Sequence, residues 1–400
     1  MSATPGAAAR RDAVTPTRAA RGAVLAAAML TLMAPAVIAP SLPAMRAVFS
    51  DVAGADVLVR LVLTITSLAI GLTAPLAGLA ADRIGRKPLL VGSLVLFAVA
   101  GVAGYFAETI GVLLATRALL GVAVGGIMTA VGAIVTDWFD GPERASFLGL
   151  QQAFASLGGV VFLPLAGLLA AIHWKSPFWI YAAAAVVLPF AVLAVREGPR
   201  DNASRTIGSE GGPRPGILRP VAGLYLLAFL VTLAFYMAPT QLPFLLAELG
   251  TGPAVAGAVI AATTLSSAAG ALAFPRLRAR WTPSVITAAS VALLGLGWVL
   301  VGTAHTVAQV VAGLLVGGFG VGLAVPNLNL RLSDLAPAAH RGRILSGLVT
   351  GIFLGQFLSP LIVQPLIRTT DIGGAFLWTG LAMTTAAALT VPLLKSREKE

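Results

Sequence analysis

Cysteine is absent from this 400-residue chain, and only three histidines occur, His173, His305 and His340, far apart in sequence. The first absence excludes disulfide scaffolds, thiolate metal sites and cysteine nucleophiles. The second leaves almost nothing for a histidine-based metal site or catalytic triad, so neither a metal nor a cofactor is expected. Charge is scarce too: Asp, Glu, Lys and Arg make up 11% of residues, against about 25% in a soluble chain. Apolar residues fill the gap, at 58% with a mean hydropathy of +0.91. A formal net charge of +11 would suggest nucleic acid in a soluble protein. Here the apolar excess makes a lipid bilayer the counter-surface, and no nucleic-acid partner is expected. The chain reads as an all-α polytopic membrane protein.

No apolar run alternates with period two, which argues against a barrel. A crossing helix needs about 20 mostly apolar residues. Twelve such spans can be drawn: 22–45, 57–81, 88–107, 110–136, 144–170, 174–195, 220–246, 254–275, 283–303, 307–330, 344–367 and 372–394. Lys and Arg accumulate on the cytoplasmic side of membrane proteins. With the N-terminus inside, 22 of the 27 Lys and Arg fall in inner segments. Four fall outside (Arg46, Arg60, Lys175, Arg368), leaving Arg117 alone within a span. One missed or extra span would scramble this split, so both termini are expected in the cytoplasm. Residues 1–21 read as a disordered lead, 22–195 and 220–395 as two six-helix bundles, 196–219 as a central cytoplasmic loop and 396–400 as a tail.

An internal duplication is expected from echoes at a near-constant offset. Gly159 and Pro164 in span 5 recur as Gly355 and Pro360 in span 11. The Gly121–Gly126 run in span 4 has a glycine-rich echo at 314–322, and Gly78 before one basic loop matches Gly270 before another.

Between spans 2 and 3 the chain runs Gly78-Leu-Ala-Ala-Asp82-Arg83-Ile-Gly85-Arg86-Lys87-Pro88. Gly78 permits close helix approach, Gly85 permits a tight turn, and the three cations hold that turn in the cytoplasm. Asp82 is a carboxylate at a membrane boundary, where a charge needs a partner or a helix N-terminus. The stretch resembles the signature loop of the major facilitator superfamily, with Arg117, Gly121 and Gly125 in span 4 as a second, weaker mark. The resemblance implies two pseudo-symmetric six-helix bundles around a cavity that opens alternately to each side. It further implies that Asp82 docks near the start of span 11 while loop cations pair with an acid ending span 4, where Asp137 stands. Gly78, Asp82, Arg83, Gly85, Arg86, Lys87 and Asp137 would then form a cytoplasmic gate lock. Proton-linked exporters of the family carry a Gly-Pro pair and further glycines in their fifth helix. This chain keeps Gly159, Pro164 and Gly167 but has Leu163 before the proline.

All sixteen acids fall outside the middle of the membrane, which disfavours a dedicated cation exporter. Arg117 either anchors a polar or anionic substrate or snorkels to the outer interface. It cannot shed its proton, so proton coupling would run through Asp82, Asp137, Asp334 or the substrate. Uncharged polar groups complete the cavity candidates: Thr31, Gln152, Tyr236, Gln241, Asn327 and Gln356. For each, interhelical hydrogen bonding is the alternative role. A wall otherwise made of Ala, Val, Leu, Met and Phe suits an amphipathic organic molecule better than a sugar. The reading favoured is proton-coupled export of such compounds by a monomer. Its alternative is uptake or facilitated diffusion of a small polar or anionic metabolite. An enzyme would need a convergent nucleophile, acid/base pair or metal set, and none is legible.

Overall fold

The computed structural model describes residues 16–197, 218–337 and 341–397. Most of the expected lead and of the central loop therefore lies outside the described residues, as does the end of the tail. Among the described residues the chain is helical and has no strand.

Among the described residues, ten helices or helix pairs are long and apolar enough to cross a bilayer, and each falls on an expected span. They include α3 (Ala55–Ile84), α4 (Arg86–Ala103), α5 (Ile110–Trp138), α6 (Gly141–Ile172) and α7 (Ala183–Ala194, entered through a 3-10 turn). In the second half they are α8 (Leu218–Phe235) with α9 (Met237–Glu248), α10 (Pro253–Arg278), α11 (Pro283–Gly302), α12 (Val307–Leu335) and α13 (Arg341–Thr369). The other two spans are helical as well. Span 1 is α1 (Arg18–Met33), a 3-10 turn at Ala39–Ser41 and α2 (Leu42–Val48); span 12 is α14 (Ile372–Arg397). Helix α1 starts at Arg18, four residues before the expected span, because the Thr17 hydroxyl accepts the Ala20 N–H as an N-cap. Thr109, Thr282 and Thr306 cap α5, α11 and α12 in the same way.

The prolines explain the breaks. Pro35, Pro40 and Pro43 cannot donate to an α-helical ladder, and span 1 comes apart between Met33 and Leu42. Pro239 and Pro243 follow the corresponding break at Tyr236 in span 7. Backbone carbonyls freed in lipid need partners, and each break has one. The Tyr181 hydroxyl donates to the Ala34 carbonyl at 2.7 Å, and the Trp298 indole N–H donates to the Ala234 carbonyl at 2.9 Å.

Within the first half α5 packs on α3 and α4, and α6 on α1; within the second α12 packs on α10 and α11, and α13 on α8. Small residues set these distances, as is common in membrane bundles. A Cβ at Gly121 would stand 2.6 Å from the Ala69 Cβ, and one at Gly126 3.1 Å from the Ser93 Cβ. The span-4 glycines thus bring α5 against α3 and α4. The halves meet where α6 packs on α10, α3 on α13, α2 on α9, and the 3-10 turn Ala39–Ser41 on both α9 and α10.

Candidate functional site: two faces and a seam

The end of the molecule bearing the α3–α4 turn is termed the motif face, and the opposite end the far face. At the motif face α3 ends on Ile84 and α4 begins at Arg86, with Gly85 between them at φ +103°. A side chain is strained in that conformation, so glycine is needed here. The Arg86 N–H donates to the Glu197 carboxylate at 2.9 Å, and the Arg86 guanidinium forms an ion pair with Asp137 at the end of α5. Arg83 is exposed and Lys87 half-buried. Asp82 is exposed and makes no hydrogen bond or ion pair among the described residues. A Cβ on Gly78 would meet nothing within 4 Å. One part of the implied lock, cation to Asp137, is therefore made in this conformation; the docking of Asp82 on span 11 is not. Helices α5 and α12 share no extended contact, and Leu72, Leu76 and Leu79 on this end of α3 are exposed.

The far face is built differently. Every residue from Met237 to Leu246 in α9 is buried, as is the stretch Val37–Leu42 opposite it. Arg60, Thr64, Ser67 and Gly71 recur at i, i+4, i+7 and i+11 on α3 and so form one stripe. The stripe faces the second half. Arg60 Nε donates to Gln241 Oε1 at 2.7 Å, and its guanidinium carbon lies 4.1 Å from the centroid of the Phe244 ring. Ser67 Oγ donates to Gln356 Oε1 at 2.8 Å, and a Cβ at Gly71 would stand 3.3 Å from the Phe353 Cβ. The seam continues between α6 and α10. There a Cβ at Gly159 would be 2.9 Å from Thr264 Cγ2, one at Gly167 2.6 Å from the Pro253 carbonyl oxygen, and one at Gly257 2.9 Å from Gly167 Cα. The span-5 glycines thus let the two halves touch, while Pro164 lies inside α6.

The sequence-derived cavity candidates scatter. Tyr236, Gln241 and Gln356 lie at or beside the seam. Thr31 donates back to the Ala28 carbonyl of its own helix at 2.7 Å, and Gln152 is exposed on α6. Asn327 is inside the second half, its amide donating to the Pro283 carbonyl (3.0 Å) and Thr287 Oγ1 (2.8 Å). Arg117 takes neither expected position. It is 1% exposed within the first half, and Nη2 donates to the Ala100 and Gly101 carbonyls at 3.0 and 2.9 Å. Those carbonyls end α4, where the helix dipole favours a cation. The rings of Phe178 and Tyr181 lie on the guanidinium, each with its centroid 4.8 Å away.

Arg60 is the residue that sequence reasoning missed. It was counted with the outer charges, yet it sits on the second turn of α3 and is 3% exposed. The signal was present: Arg60 falls inside the expected span 57–81, in helical register with Thr64, Ser67 and Gly71.

The model of the Major Facilitator Superfamily matches residues 24–360, and again 224–400. This chain belongs to the Major Facilitator Superfamily. Among curated relatives, Multidrug resistance protein 1 of Bacillus subtilis (strain 168) is 31% identical over 163 residues, 40% of this chain and 41% of that protein. That alignment spans less than half of the relative. The Tetracycline resistance protein, class C, of Escherichia coli is 28% identical over 80% of this chain and 81% of its own. The 3-(3-hydroxy-phenyl)propionate transporter of Escherichia coli (strain K12) is 25% identical over 81% of this chain and 73% of its own. The solved structure of a D-xylose-proton symporter superimposes with a TM-score of 0.77 at 16% identity, over 93% of this chain and 97% of that one. The superfamily consists of transporters, and the major facilitator fold in a multi-pass membrane protein is what the helices build.

Proposed function

We propose that the chain is a secondary transporter that exports small amphipathic organic compounds in exchange for protons, acting as a monomer in the cytoplasmic membrane. In this reading the motif face and both termini are cytoplasmic. Residues 1–21, 196–219 and 396–400 then lie in the cytoplasm, flanking six-helix halves at 22–195 and 220–395. The observation that carries the reading is the asymmetry between the faces: a buried seam closes the far end while the motif-face contacts of Asp82 and Gly78 are unmade. Alternating access needs two such ends, each able to close when the other opens. Export of organic compounds is supported by the apolar walls and by the relatives named for multidrug and tetracycline resistance. The position of every acid away from mid-membrane supports a substrate that is not a simple cation.

Everted vesicles loaded with a pH-sensitive dye test both direction and coupling. Adding a substrate from a panel of antibiotics, dyes and aromatic acids should release protons from the lumen as the compound accumulates there. Entry that stops at equal concentrations without proton movement would leave a uniporter, and movement only from lumen to bath would make the chain an importer. The second reading, uptake or facilitated diffusion of a small polar or anionic metabolite, draws support from the match to a transporter named for an aromatic carboxylate.

A further inference from the structure

We infer that Arg60 recognises an anionic group of the substrate once the halves part at the far face. The inference deepens the transport reading by naming a substrate class, and it does not depend on the direction of flux. Three features of the seam support it.

First, Arg60 is held by groups that belong to the other half. The acceptor Gln241 Oε1 and the Phe244 ring are both on α9, and both must leave when α9 separates from α3. The backbone carbonyl of Asp56, 2.7 Å from Nη1, stays behind on the same helix. Separation therefore strips the guanidinium of a side-chain acceptor and a ring face together, leaving a fork of donors turned to the opened space.

Second, the nearby carboxylate is engaged elsewhere. Asp56 lies within electrostatic reach of Arg60 and Arg368 but makes its ion pair with Arg46. Glu248 and Asp371, acids near this mouth, lie within electrostatic reach of each other, and Asp371 caps the start of α14 by accepting the Gly374 N–H. Arg60 is the buried charge on the seam, and it is a cation.

Third, the seam holds polar atoms that the closed state leaves unsatisfied. Ser41 Oγ, Thr64 Oγ1 and Gln241 Nε2 are buried without a hydrogen-bond partner, as are atoms of Arg117, Gln151, Arg278, Asn327 and Gln364 elsewhere among the described residues. Thr64 is one turn from Arg60 on the same stripe. Native proteins retain few such atoms. The three on the seam, beside Arg60, are accounted for if the seam becomes wet, or binds a ligand, in the other conformation. Arg60 and the Gln241 amide can only donate through their nitrogens, so the opened surface suits an acceptor such as a carboxylate. The buried stripe itself carries no acid for an organic cation; Glu248 and Asp371 are exposed at the mouth.

Equilibrium dialysis of the purified full-length protein against naphthoate, naphthamide and naphthylmethylammonium tests this on one aromatic body. Naphthoate should bind more tightly than the ammonium by about tenfold, as a charge-assisted contact supplies. Arg60→Lys should keep the preference and Arg60→Gln should erase it. Gln241→Glu should also erase it with Arg60 in place, because the new carboxylate occupies the guanidinium permanently; this variant decides alone if Arg60→Gln does not fold. Equal binding of the ammonium, binding of none of the three, or a preference that survives these variants overturns the inference. The vesicle assay fails separately: a chain that exports cationic dyes keeps the export reading and loses this one, and a chain that imports naphthoate does the reverse.

Discussion

The two faces of the molecule close by different physics. The far face uses area: glycines at Gly159, Gly167 and Gly257 bring α6 against α10, and a buried arginine is clasped between halves. The motif face uses a turn with exposed charge, in which Arg86 meets Asp137 and Asp82 stands free of contacts among the described residues. The buried far-face seam carries some unsatisfied polar atoms, which cost about 1–3 kcal/mol each. An exposed ion pair contributes about 0–1 kcal/mol and is readily exchanged. A transporter needs both ends to be breakable, and here the larger seam is weakened by its own orphans.

Substitutions can break this contrast, beginning with the scaffold behind the far face. Arg117→Met should destabilise the protein by about 3 kcal/mol, since two carbonyls and two ring faces lose their cation. Thermal melts in detergent measure this, and Arg117→Lys should recover only part, because an ammonium lacks the planar fork. A stable methionine variant with lost substrate affinity would instead return Arg117 to the cavity. Gly257→Val should cost the closed seam about 2 kcal/mol by overpacking, whereas Gly78→Ala should leave it unchanged. The lack of native cysteine allows a single reporter, Ser41→Cys, whose labelling by an impermeant maleimide should speed up in the first variant alone. Asp82→Asn should lower transport by about tenfold, the loss of one charge-assisted contact in the opposite conformation, with an unchanged melting temperature. A lower melting temperature would mean that Asp82 is already engaged. The smallest effect belongs to Arg86→Gln, about 0.5 kcal/mol for a partly exposed pair, and it should vanish in high salt.

Legibility differed by kind of feature. Apolar runs and proline positions marked the spans because lipid forces every backbone group to be satisfied within a helix. The turn at Gly85 and the partnership of Arg86 with Asp137 were legible through the signature loop. Arg117 was misplaced because its partners are backbone carbonyls of Ala100 and Gly101, and carbonyls have no sequence signature. Arg60 was missed because counting charges by side of the membrane treats a cation near a span end as outside, though its register with Thr64 and Ser67 argued otherwise. The glycines of spans 4 and 5 stood out, but which helix each would admit did not.

Composition and order along the chain were enough to determine a bundle of apolar helices long enough to cross a membrane. That property follows from local transfer of residues between water and lipid, which needs no knowledge of neighbours. Which polar groups face a partner, which are stranded, and which end is shut were decided only by tertiary structure. Those outcomes depend on contacts between segments as distant as Arg60 and Gln241, and in a helix that satisfies its own backbone nothing local specifies them.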